Sequence, residues 1–199
     1  MKHLITISLG ILLVASAGCA TSPPARFFLL SPPAAQPSSE QGQKPATQVS
    51  LQVQIPDYLD RPQIMIREDK HRLSLAELDR WAEPLSRMLA KFLAQRLADG
   101  PSPIQVNAPG SGREEINIWI QILRLDGKPG DRVTLETNWR IASSERNAGR
   151  VHFFSAAAPA SGQGMEGLVQ AHEQVVQELA SVLIRALDRK FEGSVQPSP

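Results

Sequence analysis

Ile116-Asn-Ile-Trp-Ile-Gln-Ile-Leu-Arg-Leu125 decides the fold class of this chain. Ile116, Ile118, Ile120 and Ile122 fall on one side of an extended segment, with Asn117, Trp119, Gln121 and Leu123 on the other. Alternation with period two is the mark of a strand with one buried face. The turn residues Asp126-Gly-Lys-Pro-Gly-Asp131 follow, and Val133–Ile141 alternates again through Val133, Leu135, Thr137, Trp139 and Ile141. Asn147-Ala-Gly149 marks another turn before a strand over Val151–Ala156. Sequential strands joined by turns predict an antiparallel meander.

Moving outward toward the C-terminus, Pro159–Gly164 is a loop and Met165–Phe191 the longest helical pattern. Leu168, Ala171, His172, Val175, Val176, Leu179, Val182, Leu183, Ala186 and Leu187 form its apolar stripe. Gly193–Pro199 is a free tail. Toward the N-terminus, Ile104–Val106 is a short strand. Leu85, Met88, Leu89, Phe92, Leu93 and Leu97 keep helical spacing up to the stop Asp99-Gly100-Pro101. Because Pro84 is tolerated only in a first turn, the helix is expected to start near Ala82. A capping box, Ser74-x-x-Glu77, offers an earlier start with Pro84 as a kink. His71–Leu75 and Ile64–Arg67 flank the polar turn Glu68-Asp-Lys70 as a hairpin, and Val49–Ile55 is another alternating strand. Pro32–Gln48 is rich in Pro, Gln and Ser and is expected to be a flexible loop. Arg26–Leu30 is a first strand after a small, proline-bearing tether. The expected architecture is α+β: a mostly antiparallel sheet with two helices packed on one face.

The first residues carry an address. Met1-Lys2-His3 is followed by the uncharged run LITISLGILLVASA (4–17). That run is too short for a bilayer core, which takes roughly 20 residues, and fits the apolar region of a signal peptide. Ser16-Ala17-Gly18-Cys19 resembles the bacterial lipobox, with Ser16 in the place usually held by Leu. Cleavage before Cys19 and lipidation of Cys19 are expected. Ala20 stands where an Asp would hold such a protein at the inner membrane, so the expected location is the periplasmic face of the outer membrane. The organisation read from this is a signal peptide over 1–18, a lipidated tether over 19–25, one domain over 26–191 and a disordered tail over 192–199.

Composition narrows the function. The 199 residues are 42% apolar and 21% charged, with a formal charge of +1. Nothing in that balance favours nucleic acid. Cys19 is the sole cysteine, which excludes an intrachain disulfide and a multi-cysteine zinc site. His172-Glu173 begins a zinc-protease motif, but Val176 stands where the second His is needed. His172 is read instead as a tolerated residue on the helix flank. Gly162-x-Gly164-x-x-Gly167 has dinucleotide-binding spacing but no parallel strand to follow it. Asp57 and Asp60 are read as loop-capping carboxylates, and Arg113-Glu-Glu115 as a solvated cluster. No cofactor, metal or enzymatic activity is expected.

Two clusters are not generic: Ile55-Pro-Asp-Tyr-Leu-Asp-Arg-Pro-Gln-Ile64 and Arg80-Trp-Ala-Glu-Pro-Leu85. With Phe27-Phe-Leu-Leu30 close behind Cys19, they resemble the PqiC (YmbA) family of accessory lipoproteins of ABC-type transport systems. The resemblance implies an outer-membrane lipoprotein with an MCE-domain transporter protein as partner, in a system that moves lipids or other hydrophobic molecules between membranes and supports membrane integrity. The chain would be an adaptor, with a homo-oligomer among its expected assemblies. Tyr58, Leu59, Arg61 and Pro62 are the candidate partner-binding residues, on a loop stiffened by Pro56 and Pro62. The alternative reading of Tyr58 and Leu59 is that they cover the end of the sheet. Trp81, Glu83, Pro84 and Leu85 form the structural motif, with Trp81 expected in the core and Arg61 and Glu83 as a candidate ion pair. A lipoprotein carrying lipid in its own pocket is the rival reading, and it predicts a deep apolar cavity.

Overall fold

The computed structural model describes residues 23–32, 47–102, 104–107, 116–143 and 149–194. The signal peptide, Cys19, most of the 32–48 loop, the Arg113-Glu-Glu115 cluster and residues 195–199 lie outside them.

Among the described residues, eight strands and two helices follow in order. These are β1 (Arg26–Phe28), β2 (Thr47–Gln54), β3 (Gln63–Arg67), β4 (Leu73–Trp81), α1 (Leu85–Ala98), β5 (Ile104–Asn107), β6 (Ile116–Gly127), β7 (Arg132–Ser143), β8 (His152–Pro159) and α2 (Met165–Ser194). The expected meander is present: β7 pairs antiparallel with β6 and β8. So is the β3–β4 hairpin.

The sheet as a whole is mixed, which corrects the expectation of a mostly antiparallel one. β2 lies between β5 and β6 and runs parallel to both, β1 runs parallel to β4, and β3 meets β6 in parallel at Ile66–Gly127. Alternation fixes which face of a strand is buried and is silent on the direction of its neighbour. Short turns fix that direction for β3–β4 and β6–β7, and β8 follows β7 closely in sequence. β2 reaches its partners only through long connections.

β6 is the spine. One edge pairs with β7 along its length, and the other is shared: Val49–Gln54 of β2 cover Ile116–Gln121, and β3 takes over at Gly127. A register shift between Ile122 and Arg124 resets the alternation, so that Leu125 and Asp126 are both buried. The Ile55–Pro62 loop joins β2 to β3 beside this change of partner.

α1 packs over β2 and β5, α2 packs over β6, β7 and β8, and the helices pack on each other. The core between them is built from Ile116, Ile118, Ile120, Val133, Leu135, Leu89, Phe92, Leu93, Leu168, Val175 and Leu179, all buried. Among the described residues, no helix is long and apolar enough to cross a membrane.

Among the boundaries that differ from the sequence expectation, two frame the groove described below. β4 continues through Trp81, so Ser74 and Glu77 belong to a strand, and Ser74 donates its hydroxyl to Glu68. α1 starts at Leu85, three residues later than expected, with Pro84 as its N-cap. The Pro84 ring supplies no N–H, and its carbonyl accepts from the amides of Arg87 and Met88. The Gly162/164/167 spacing is structural: Gly162 takes a positive φ, and a Cβ on Gly167 would collide with the Ser161 carbonyl.

Candidate functional site

The two distinctive sequence clusters meet at one end of the sheet. The Trp81 amide donates to the Pro62 carbonyl (2.7 Å), and the Ala82 amide donates to the Phe28 carbonyl (2.9 Å). Together Asp60, Arg61 and Pro62 on one side, and Trp81, Ala82, Glu83 and Pro84 on the other, line a surface groove of about 260 Å³. Its lining is more apolar than polar and includes side chains of both charge signs, Arg61 against Asp60 and Glu83.

The loop wall is held by a buried charge. The turn is closed through backbone bonds, Leu59 to Pro56 and Asp60 to Asp57. Tyr58 is half-buried, and its hydroxyl donates to the Asp126 carboxylate (3.2 Å). Asp126 is 0% exposed and also accepts from Arg67 Nε (3.0 Å) and Arg124 Nε (2.9 Å). Burial pushes the Asp126 carboxyl up, but the hydrogen bonds from Arg67 and Arg124 outweigh it and hold the group below its ordinary value. Burial, followed by the Asp126 charge, pushes the Tyr58 phenol up to about 12.

The opposite wall is held by neutral contacts. Trp81 is 5% exposed and meets the His172 ring edge-on at 5.5 Å between centroids. His172 is buried in the core, not on the helix flank where the sequence reading put it. Its Nδ1–H donates to the Leu168 carbonyl (2.8 Å), and burial pushes it down to about 4. The imidazole is therefore neutral at physiological pH.

The candidate residues part company here. Arg61 and Pro62 are exposed on the groove. Leu59 is 3% exposed and belongs to the core, and the Tyr58 hydroxyl faces Asp126 rather than solvent. Glu83 pairs with Lys91 of α1 (2.6 Å), and no ion pair joins it to Arg61 among the described residues. Leu85 is buried and opens α1. Sequence reading missed Asp126, Arg67 and Arg124. The one available signal was an Asp at the end of an alternating strand, and it looks like an ordinary turn residue. Among the described residues, no group of three or more His, Cys, Asp or Glu is placed to hold a metal ion.

The fold has relatives of known structure. A Xanthomonas campestris protein superposes with a TM-score of 0.71 at 18% identity, covering 86% of this chain and 100% of its own. An uncharacterised protein superposes with a TM-score of 0.70 at 15% identity, covering 83% of this chain and 99% of its own. At these identities the likeness is one of fold. No curated protein matches the chain in sequence. The family model described as "ABC-type transport auxiliary lipoprotein component" matches residues 28–183 and takes in both walls of the groove, so the chain belongs to that family of PqiC-like lipoproteins.

Proposed function

We propose that this chain is the adaptor lipoprotein of an MCE-type intermembrane transport system, held to the outer membrane by lipid on Cys19. It docks its periplasm-spanning MCE-domain partner in the groove between Arg61–Pro62 and Trp81–Pro84. The observation that carries the reading is the convergence of the two distinctive clusters on one groove in a member of a transport-auxiliary family. Pro62 and Pro84 stiffen the walls, which lowers the entropic cost of binding. Arg61, Asp60 and Glu83 give the rim a charge pattern that a partner can match. The proposed organisation is a signal peptide (1–18), a lipidated tether (19–25), an adaptor domain (26–191) and a tail (192–199). Self-assembly into a homo-oligomer is part of the same proposal. The adaptor role is favoured over cargo carriage because the groove, at about 260 Å³, is small and open-sided, while the space between sheet and helices is filled by side chains.

The test is capture of the tagged, lipidated protein from detergent-solubilised membranes, beside a Cys19→Ala control, with co-purifying proteins identified by mass spectrometry. Leu59 and Tyr58 substitutions would disturb the fold, so the groove is probed at exposed Arg61. Arg61→Glu should lower recovery of an MCE-domain partner at least about tenfold, as loss of an interface hot spot does. Recovery of the protein alone with bound lipid would overturn the adaptor reading in favour of cargo carriage.

A further inference from the structure

Among the described residues, β1 lies at the edge of the sheet, paired with β4 alone. Its run alternates in an unusual way. Phe28 and Leu30 turn into the core, while Phe27 and Leu29 turn outward and are 64% and 52% exposed. The outward face of an edge strand is normally polar. Here it carries two large apolar side chains, with exposed Leu78 nearby on β4. Arg80 is the register partner of Phe27, and strand alternation sets Leu78 on the same side as Arg80. The segment is fixed in this pose. Arg26 Nε bonds Asp79 (2.6 Å), its guanidinium reaches Glu166, and the Ser31 amide donates to Glu173 at 2.7 Å.

The position of this patch along the chain identifies its occupant. Phe27 is eight residues after Cys19. At full extension that stretch spans at most about 28 Å. A lipid on Cys19 therefore keeps β1 within that distance of the bilayer at all times, which makes even weak interfacial contact effective. The geometry points to the bilayer surface itself as the partner of this patch: Phe27, Leu29 and Leu78 enter the interfacial layer, with Arg80 at headgroup level. Aromatic and aliphatic side chains flanked by Arg suit that layer. The contact is a second membrane signal, and it sets the orientation of the domain. Because Ala82 bonds Phe28, the groove is joined directly to this strand, so the same contact fixes the groove close to the membrane.

This inference rests on the Cys19 anchor, and its test separates the two. The lipidated mature protein is reconstituted into vesicles of phosphatidylethanolamine and phosphatidylglycerol. Since an acylated Cys19 has no free thiol, Leu29→Cys introduces the only one, and it is labelled with a polarity-sensitive fluorophore. Phe153→Cys, on the exposed edge strand β8, is the control. The expected result is a blue shift at position 29 and quenching by a lipid-borne quencher several-fold stronger than at position 153. Equal, solvent-like behaviour at both positions in an acylated protein overturns the inference and leaves the anchor standing. A blue shift at 29 without lipid quenching also overturns it and assigns the patch to a protein neighbour. Absence of the acyl mass, with the protein left in solution, removes the anchor and the inference together. Phe27→Glu combined with Leu29→Glu should abolish lipid quenching of a label at Leu78→Cys without loss of folding, because both side chains are exposed.

Discussion

The two walls of the groove are held by opposite kinds of chemistry. On the loop side, Tyr58 is tied to Asp126, a fully buried carboxylate kept charged by Arg67 and Arg124. On the strand side, Trp81 rests against His172, a buried imidazole kept neutral by its surroundings. Both groups have pKa values below the ordinary ones, for different reasons. Asp126 has partners enough to outweigh its burial, whereas His172 has a single carbonyl and yields to burial. The location of each explains the choice. Asp126 lies where β6 exchanges β2 for β3, and the charged network bridges the loop across that exchange. His172 lies within the continuous helix α2, whose backbone bonds are already satisfied, so only packing is needed there.

The largest test of this contrast removes the charge. Asp126→Ala should cost about 3 kcal/mol in thermal or denaturant unfolding, because it strands two guanidinium groups and a phenol. That figure is at the low end for a broken buried pair, since both arginines reach partly into water. A loss below about 1 kcal/mol would mean that the loop is held by packing alone.

Acid separates the two sites. His172 has a folded value of about 4 against an ordinary value of 6.5, so the unfolded chain binds its proton first as pH falls. Its contribution is complete above pH 6.5 and is lost between about 6.5 and 4, on the order of 3 kcal/mol. The Asp126 contribution is present above the ordinary value of 3.8 and is lost only below it, as pH falls through its lowered folded value. His172→Leu should flatten unfolding free energy between pH 6.5 and 4 and leave the acid loss below that window. A wild-type protein with no pH dependence in the upper window would break the assignment of a neutral buried imidazole.

The smallest effect sharpens the link between network and loop. Tyr58→Phe deletes one hydrogen bond to a charged acceptor while keeping the ring, and should cost about 1.5 kcal/mol. If Tyr58 also touches the partner directly, capture of that partner should fall by more than this stability change explains.

Much of this molecule was legible in the sequence. The strands β6, β7 and β8 and the long helix α2 follow from alternation and helical spacing, because those patterns record which side of each element leaves water. Pro84 and Gly100-Pro101 mark the ends of α1 through their own backbone chemistry. The two clusters that line the groove stood out as residues, although Leu59 serves the core and Glu83 pairs with Lys91 rather than Arg61. Tertiary structure alone decided the parallel pairing of β2, because direction is set by connections longer than any local signal. It also decided the roles of Asp126 and His172. A lone Asp before a Gly and a lone His on an apolar stripe carry no local mark of what will surround them. Only packing supplies the two arginines that keep Asp126 charged, and only packing removes the water that would have let His172 take a proton.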